Sequence, residues 1–162
     1  MPTIAGVLHT LNDELRLGRA LETLWACSEI LIIDHGSTDS TLRIAHEYGA
    51  RVVVRDDGDL CGDLNSLKAD WLLCLTPRES VTEALDGSLY ELCAGVTVPT
   101  VPTFGVLVRE ETGEGWVDLR DPELRLVPKD WRHWNGYLPT SAPDRRTKTI
   151  TLEGPLLRFS FP

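Results

Sequence analysis

Apolar residues fall into short dense runs through the first half of the chain and into scattered pairs through the second. Ile4-Ala5-Gly6-Val7-Leu8-His9 is a continuous run, the pattern of a buried strand. Asn12 and Asp13 are placed to cap a following helix, along which Leu17, Leu21, Leu24 and Trp25 recur at helical spacing. Glu29-Ile30-Leu31-Ile32-Ile33-Asp34 predicts a second strand that ends on a carboxylate. After the polar turn His35-Gly36-Ser37-Thr38-Asp39-Ser40, a second helix is predicted through Tyr48, with Ser37 or Thr38 as its cap and Gly49 as its stop. Arg51–Val54 and Trp71–Leu75 read as a third and a fourth strand, and a helix is predicted over Val81 to Leu92.

Strands alternating with helices over short connections predict an α/β fold with a parallel, Rossmann-like sheet. Crossovers of that kind are right-handed, so few topologies remain. The second half changes character after Pro99 and Pro102. It carries short strand patterns at Phe104–Val108, Leu124–Val127 and Ile150–Phe159, with Asp144-Arg145-Arg146-Thr147-Lys148 as a solvated loop or hairpin tip. No internal repeat, low-complexity tract or long linker interrupts the 162 residues, so one domain with a β-rich back half is expected.

Composition narrows the function classes. A net charge of −9 lacks the basic footprint of a nucleic-acid-binding module, and no nucleic-acid partner is expected. A small anionic ligand remains compatible, since backbone amides and one or two arginines can hold a phosphate locally. No stretch reaches a membrane-spanning length, and the opening residues lack signal-peptide features, so a cytoplasmic protein is expected. The four cysteines, Cys27, Cys61, Cys74 and Cys93, show neither disulfide nor zinc spacing; Cys27 and Cys74 adjoin apolar runs and read as core residues.

In an open parallel sheet, ligands bind beyond the carboxyl ends of the strands, where strand order reverses. Asn12-Asp13-Glu14, Asp34-His35-Gly36-Ser37 and Thr76-Pro77-Arg78-Glu79 fall at such ends. Asp34 there can accept hydrogen bonds from a nucleobase or ribose, or it can cap a turn. Gly36 would let the backbone approach a ligand. Ser37, Thr38 and Asp39 read as helix-capping residues. The four histidines, His9, His35, His46 and His133, show no metal-ligand spacing. Trp131, Trp134 and Tyr137 form an aromatic group that serves either as core or as a platform for a sugar ring.

The segments Val7–Glu14, Ile32–Thr41 and Ile44–Val52 together resemble the opening of family 2 glycosyltransferases. The likeness is greatest to the bacterial subgroup that adds sugars to the lipopolysaccharide core, and it covers roughly residues 3 to 85. Gly115-Trp116 and Glu123-Leu124-Arg125-Leu126-Val127 echo that subgroup more faintly. The resemblance implies the GT-A fold, a nucleotide-binding half over residues 1–95 and an acceptor-side half over 96–162. It implies a UDP-type nucleotide sugar as donor and a polysaccharide or lipid-linked acceptor, the latter bringing the protein to the inner face of the membrane. Asp34 matches the aspartate that holds a uridine-type base; Asn12 and Glu14 match polar residues after the first strand.

The chain departs from that family at its chemistry. After the fourth strand the family carries an Asp-x-Asp motif for a divalent cation, whereas Thr76-Pro77-Arg78-Glu79 retains only the trailing glutamate. The segment Cys61–Asp70 is shorter than the family's corresponding helix and lacks its Arg-Asn pair. Gly136–Pro139 and Leu157–Phe159 stand where the subgroup carries a His-Glu pair and a histidine. No cofactor is expected; magnesium or manganese would require a carboxylate site that the sequence does not announce. Asp57-Gly58-Asp59 spells Asp-x-Asp but follows the third strand and reads as a polar turn. Arg78 either neutralises a diphosphate in place of the metal or is a surface residue. Asp118 and Asp121 are the weak candidates for a catalytic base. Three readings follow: a degenerate nucleotide-sugar-binding relative, favoured; an active metal-independent transferase; and an α/β interaction domain without a ligand.

Overall fold

A computed structural model describes residues 1–55, 60–95, 103–143 and 149–162. Four strands form a parallel block: β1 (Ile4–Thr10), β2 (Glu29–Asp34), β3 (Arg51–Val54) and β4 (Trp71–Leu75). β1 lies between β2 and β4 and is parallel to both, so the strand order reverses beside it. All seven β1 residues are buried, because helices or loops cover both faces. On one face Ile4, Leu8, Ile32 and Leu73 pack with α1 (Leu17–Leu21), α2 (Thr41–Glu47) and α4 (Glu83–Ala94). On the other, Ala5, Val7, Leu31, Ile33, Leu72 and Cys74 pack with Leu64 and Leu67, the former in α3 (Leu60–Asn65).

The back half extends the same sheet. β5 (Glu79–Val81), β6 (Thr103–Thr112), β8 (Glu123–Pro128) and β11 (Thr149–Arg158) continue it in the order β4-β8-β6-β11-β5, and β7 (Gly115–Asp118) pairs with β6. β9 (Trp134–Asn135) and β10 (Leu138–Pro139) make a separate ribbon. β8 is antiparallel to β4 and to β6, whereas β11 is parallel to β6. The carboxyl ends of β1, β2, β4, β6 and β11, and the amino end of β8, therefore share one edge of the sheet.

Several local expectations give way to tertiary context. α1 ends at Leu21, and Trp25 is 75% exposed rather than on the buried stripe. The helix caps fall at Arg16 and Ser40, without side-chain capping bonds, because Asn12, Asp13, Ser37 and Thr38 are engaged elsewhere. Val81 belongs to β5, so α4 starts at Glu83; the Thr82 hydroxyl caps it, accepting from the Leu85 N–H at 3.3 Å. Gly49 is the helix stop expected, at φ 74°. Burial pushes the Cys27 and Cys74 thiols up to about 12, in keeping with core residues. The Asp57-Gly58-Asp59 turn, Pro99, Pro102 and the 144–148 tip lie outside the described residues.

Candidate functional site at the carboxyl edge of the sheet

Asp34, at the last position of β2, organises the parallel half of this edge. Its side chain is fully buried and accepts four hydrogen bonds. They come from the Thr10 hydroxyl at 2.7 Å, the Ser37 hydroxyl at 2.6 Å, and the Ser37 and Gly36 N–H groups at 2.8 and 3.1 Å. Burial raises the carboxyl, but these donors outweigh it and hold it below the usual aspartate value. Gly36 adopts φ 99°, and a Cβ there would touch nothing, so backbone conformation rather than close approach requires glycine.

The loops after β1 and β2 are zipped together. Asn12, at φ 53°, accepts from the Thr38 N–H at 2.9 Å and donates its own N–H to the Ser37 hydroxyl at 2.8 Å. Glu14 accepts from the Ser40 N–H at 2.9 Å, and its N–H donates to Asp39 at 3.2 Å. Ser37 and Thr38 thus bridge loops instead of capping α2. Asn12, Glu14, Asp34 and Gly36 are brought together, each with hydrogen-bond partners from its own or the adjoining loop.

The structure also joins two histidines whose spacing suggests no relation. His9 Nδ1 lies 2.8 Å from His35 Nε2, and the ring of Tyr137 stacks on both, at centroid distances of 4.1 and 4.8 Å. Parallel pairing of Thr10 with Asp34 sets the two imidazoles side by side. Burial, reinforced by His35, pushes His9 down to about 4 and keeps it neutral at ordinary pH. The aromatic group splits as a result. Trp131 and Trp134 pack on the core with their indole N–H groups on backbone carbonyls, whereas Tyr137 is exposed over the histidines.

Beyond β4 the edge is ionic. Arg125, 1% exposed on β8, clamps the fully buried Glu79 through two bonds of 2.7 and 2.8 Å and donates to the Cys74 carbonyl at 3.1 Å. Arg158 at the end of β11 reaches Glu79 at 3.2 Å and Glu123 at 2.9 Å, and Glu123 also accepts from Arg125. Burial opposes the ionised form of Glu123, but the two guanidinium groups hold its carboxyl below the usual range. Glu123 and Arg125 line a cleft of about 420 Å³ with Asn135, Leu138, Pro139 and Thr140.

The residues described after β4 do not fit a divalent cation. Glu79, the glutamate left from the expected motif, is fully occupied by Arg125, Arg158 and the Thr76 N–H, and two guanidinium groups would repel a metal. No group of three or more His, Cys, Asp or Glu side chains able to hold a metal occurs among the described residues. Arg78 is exposed, and its guanidinium donates to the Ser160 carbonyl at 3.1 Å, tying it to the end of the chain. Asp118 forms a two-pronged ion pair with Arg109, at 2.7 and 3.4 Å, which lowers its pKa and weakens it as a base. Asp121 is exposed in the bend before β8.

Solved structures that resemble this arrangement decide the fold. Staphylococcus aureus TarS, residues 1–349, matches with a TM-score of 0.57 at 16% identity, over 70% of this chain and 37% of that one. Glucosyl-3-phosphoglycerate synthase from Mycobacterium tuberculosis, solved with Mn2+, UDP and glucosyl-3-phosphoglycerate, matches with a TM-score of 0.51 at 21% identity, over 70% and 46%. The fold is GT-A. Among curated sequences, an uncharacterized glycosyltransferase of Rickettsia typhi is 28% identical over 94 residues, 55% of this chain and 32% of that protein. The lipopolysaccharide core biosynthesis glycosyltransferase LpsC of Rhizobium meliloti is 47% identical over 45 residues, 28% of this chain and 17% of LpsC. The chain therefore spans about a third or less of the length of these glycosyltransferase relatives. No family model matches it. No described helix of this GT-A chain is long and apolar enough to cross a membrane.

Sequence reasoning found Asp34, Gly36, Asn12 and Glu14 as a cluster, because a polar turn after an apolar run is a local signal. It missed the His9–His35 pair and the partners of Glu79. The alternation in Glu123-Leu124-Arg125 puts both charges on one side of β8, but no local signal ties them to residue 79 or 158.

Proposed function

We propose that this chain is a degenerate GT-A module of the family 2 glycosyltransferase type that binds a UDP-type nucleotide sugar without a metal and transfers the sugar weakly or not at all. The observation that carries this reading is the ion network at Glu79. Where a transferase of this type needs carboxylates open to a cation, this chain has one carboxylate, buried and neutralised by Arg125 and Arg158. Without that charge stabilisation the departing nucleotide would gain little help, so the chemical step is slow. The rim next to β1 and β2 supports retained binding. Asp34 rigidifies it, Asn12 and Glu14 join its two loops, and backbone shaped by Gly36 lines the crevice where strand order reverses. Arg78, exposed three residues past β4 and held on the Ser160 carbonyl, is the cation assigned here to the diphosphate. Similarity to LpsC favours a lipopolysaccharide or polysaccharide acceptor, met at the inner face of the membrane.

Calorimetric titration with UDP and UDP-glucose, with magnesium, manganese or a chelator, tests the reading alongside release of UDP from UDP-glucose. Binding indifferent to metal, with UDP release at background, is expected. Binding that requires metal would overturn it and return an active metal-dependent transferase. An absence of nucleotide binding would leave the GT-A fold serving as an interaction domain.

A further inference from the structure

A second cleft lies on the same edge of the sheet, away from β1 and β2. In the β11-β6-β7 ribbon, Leu157 pairs with Arg109 and Arg109 with Asp118, while Glu111 pairs with Trp116. Period-two alternation therefore puts Leu157, Arg109, Asp118 and Trp116 on one face. These four residues line a cleft of about 480 Å³, within the roughly 300–1,000 Å³ usual for small-ligand sites.

Its chemistry is particular. Trp116 is 45% exposed, on a strand whose four residues are all exposed. Its ring is also held in place. Phe159 meets it edge-on at 5.2 Å between centroids, and the Arg19 guanidinium lies 3.7 Å from the Phe159 ring. An indole fixed in place but open on one side is a platform for an apolar ring face. Beside it, the Arg109–Asp118 pair is two-pronged and exposed, offering donors and acceptors a few ångströms apart, the requirement for gripping neighbouring hydroxyls.

We propose that this cleft binds a pyranose ring of the acceptor glycan, stacked on Trp116 and hydrogen-bonded through its vicinal hydroxyls to Asp118 and Arg109. A sugar ring unites an apolar C–H face with a rim of hydroxyls, which is the pairing that the cleft presents. The carboxyl ends of β4 and β6 share this edge, so a ring seated here lies on the acceptor side of the nucleotide crevice. Asp118 is then a binding residue rather than the base suggested by its position in the sequence.

The inference rests on the glycosyltransferase reading for the word acceptor, but its test needs no nucleotide. Methyl glucopyranosides, galactopyranosides and mannopyranosides, at millimolar concentration, are titrated into the full chain while the indole N–H resonances of its tryptophans are followed. At least one glycoside is expected to shift the Trp116 resonance and to leave those of Trp131 and Trp134 in place. Asp118→Asn should weaken that binding about tenfold, and Trp116→Ala should abolish it; Trp116→Phe, which keeps an aromatic face, should restore part of it. No response to any glycoside, or affinity unchanged in Asp118→Asn and Trp116→Ala, would overturn the proposal. Glycoside binding without UDP binding would sink only the nucleotide reading, and UDP binding without glycoside binding only this one.

Discussion

The two halves of the shared edge solve the same problem with different materials. Next to β1 and β2, polar groups are satisfied within loops a few residues long and between two neighbouring loops. Asp34 takes three of its four bonds from Gly36 and Ser37. Next to β8 and β11, polar groups are satisfied by full charges, and all but the Arg125–Glu123 pair join residues 35 to 79 positions apart. The first arrangement keeps a backbone-lined rim that a ligand could meet. The second locks a buried carboxylate between two guanidinium groups. A buried ion pair gives little net stability, yet removing one partner is costly, so the second arrangement is hard to reverse by single substitutions.

That contrast can be broken at its ionic side first. Arg125→Ala leaves the buried Glu79 with Arg158 as its one cation beside the Thr76 N–H, and is expected to lower stability by about 3–5 kcal/mol. Urea denaturation measures this, and a loss below about 1 kcal/mol would mean that the network is open to water. The β11 bulge is nearly as sensitive. Gly154 sits at φ 92°, and a Cβ there would come within 2.2 Å of the Leu85 backbone nitrogen at the start of α4. Gly154→Ala is therefore expected to cost about 3 kcal/mol, through strain and displacement of α4. Thermal unfolding would show it, and an unchanged midpoint would contradict this packing.

On the hydrogen-bonded side the effects are smaller. Asp34→Ala strands the Thr10 and Ser37 hydroxyls, with an expected loss of about 2 kcal/mol. Faster hydrogen exchange confined to the loops after β1 and β2 would locate the damage there, whereas uniform exchange would argue for a global role. The last effect is pH-dependent. His9 titrates at about 4 when folded, against an ordinary value of 6.5, so the unfolded chain takes up the proton first as pH falls. Its contribution is complete above pH 6.5 and is lost progressively down to about 4. Comparing wild type with His9→Gln at pH 7.5 and 4.5 isolates it from the carboxylates; an equal acid loss in both would remove His9 from the account.

The legible parts share a physical character. The parallel core was readable because β1, β2 and β4 are dense apolar runs, and a strand covered on both faces admits little else. The loop after β2 was readable because a carboxylate followed by glycine and serine makes its bonds within three residues. The ends of helices were less so: Trp25, Asn12 and Thr38 satisfy local rules for helix stripe and cap, but bonds between loops 25 or 26 residues apart displaced the caps. β5 and β7 carry too little signal at three and four residues of mixed polarity, unlike the equally short but Val-rich β3.

By itself the sequence determined the α/β layering, the polar rim at Asp34 and the absence of an Asp-x-Asp directly after β4, since each depends on residues adjacent along the chain. Only the tertiary structure decided what surrounds the buried Glu79 there. Glu79 lies 46 residues from Arg125 and 79 from Arg158, and the sheet order that brings them together is set by packing of the back half against β4. The same holds for His9 with His35, and for Trp116 with Arg109, Asp118 and Leu157. Charge and aromatic contacts act over a few ångströms, and the register of strands distant in sequence is what places them within reach.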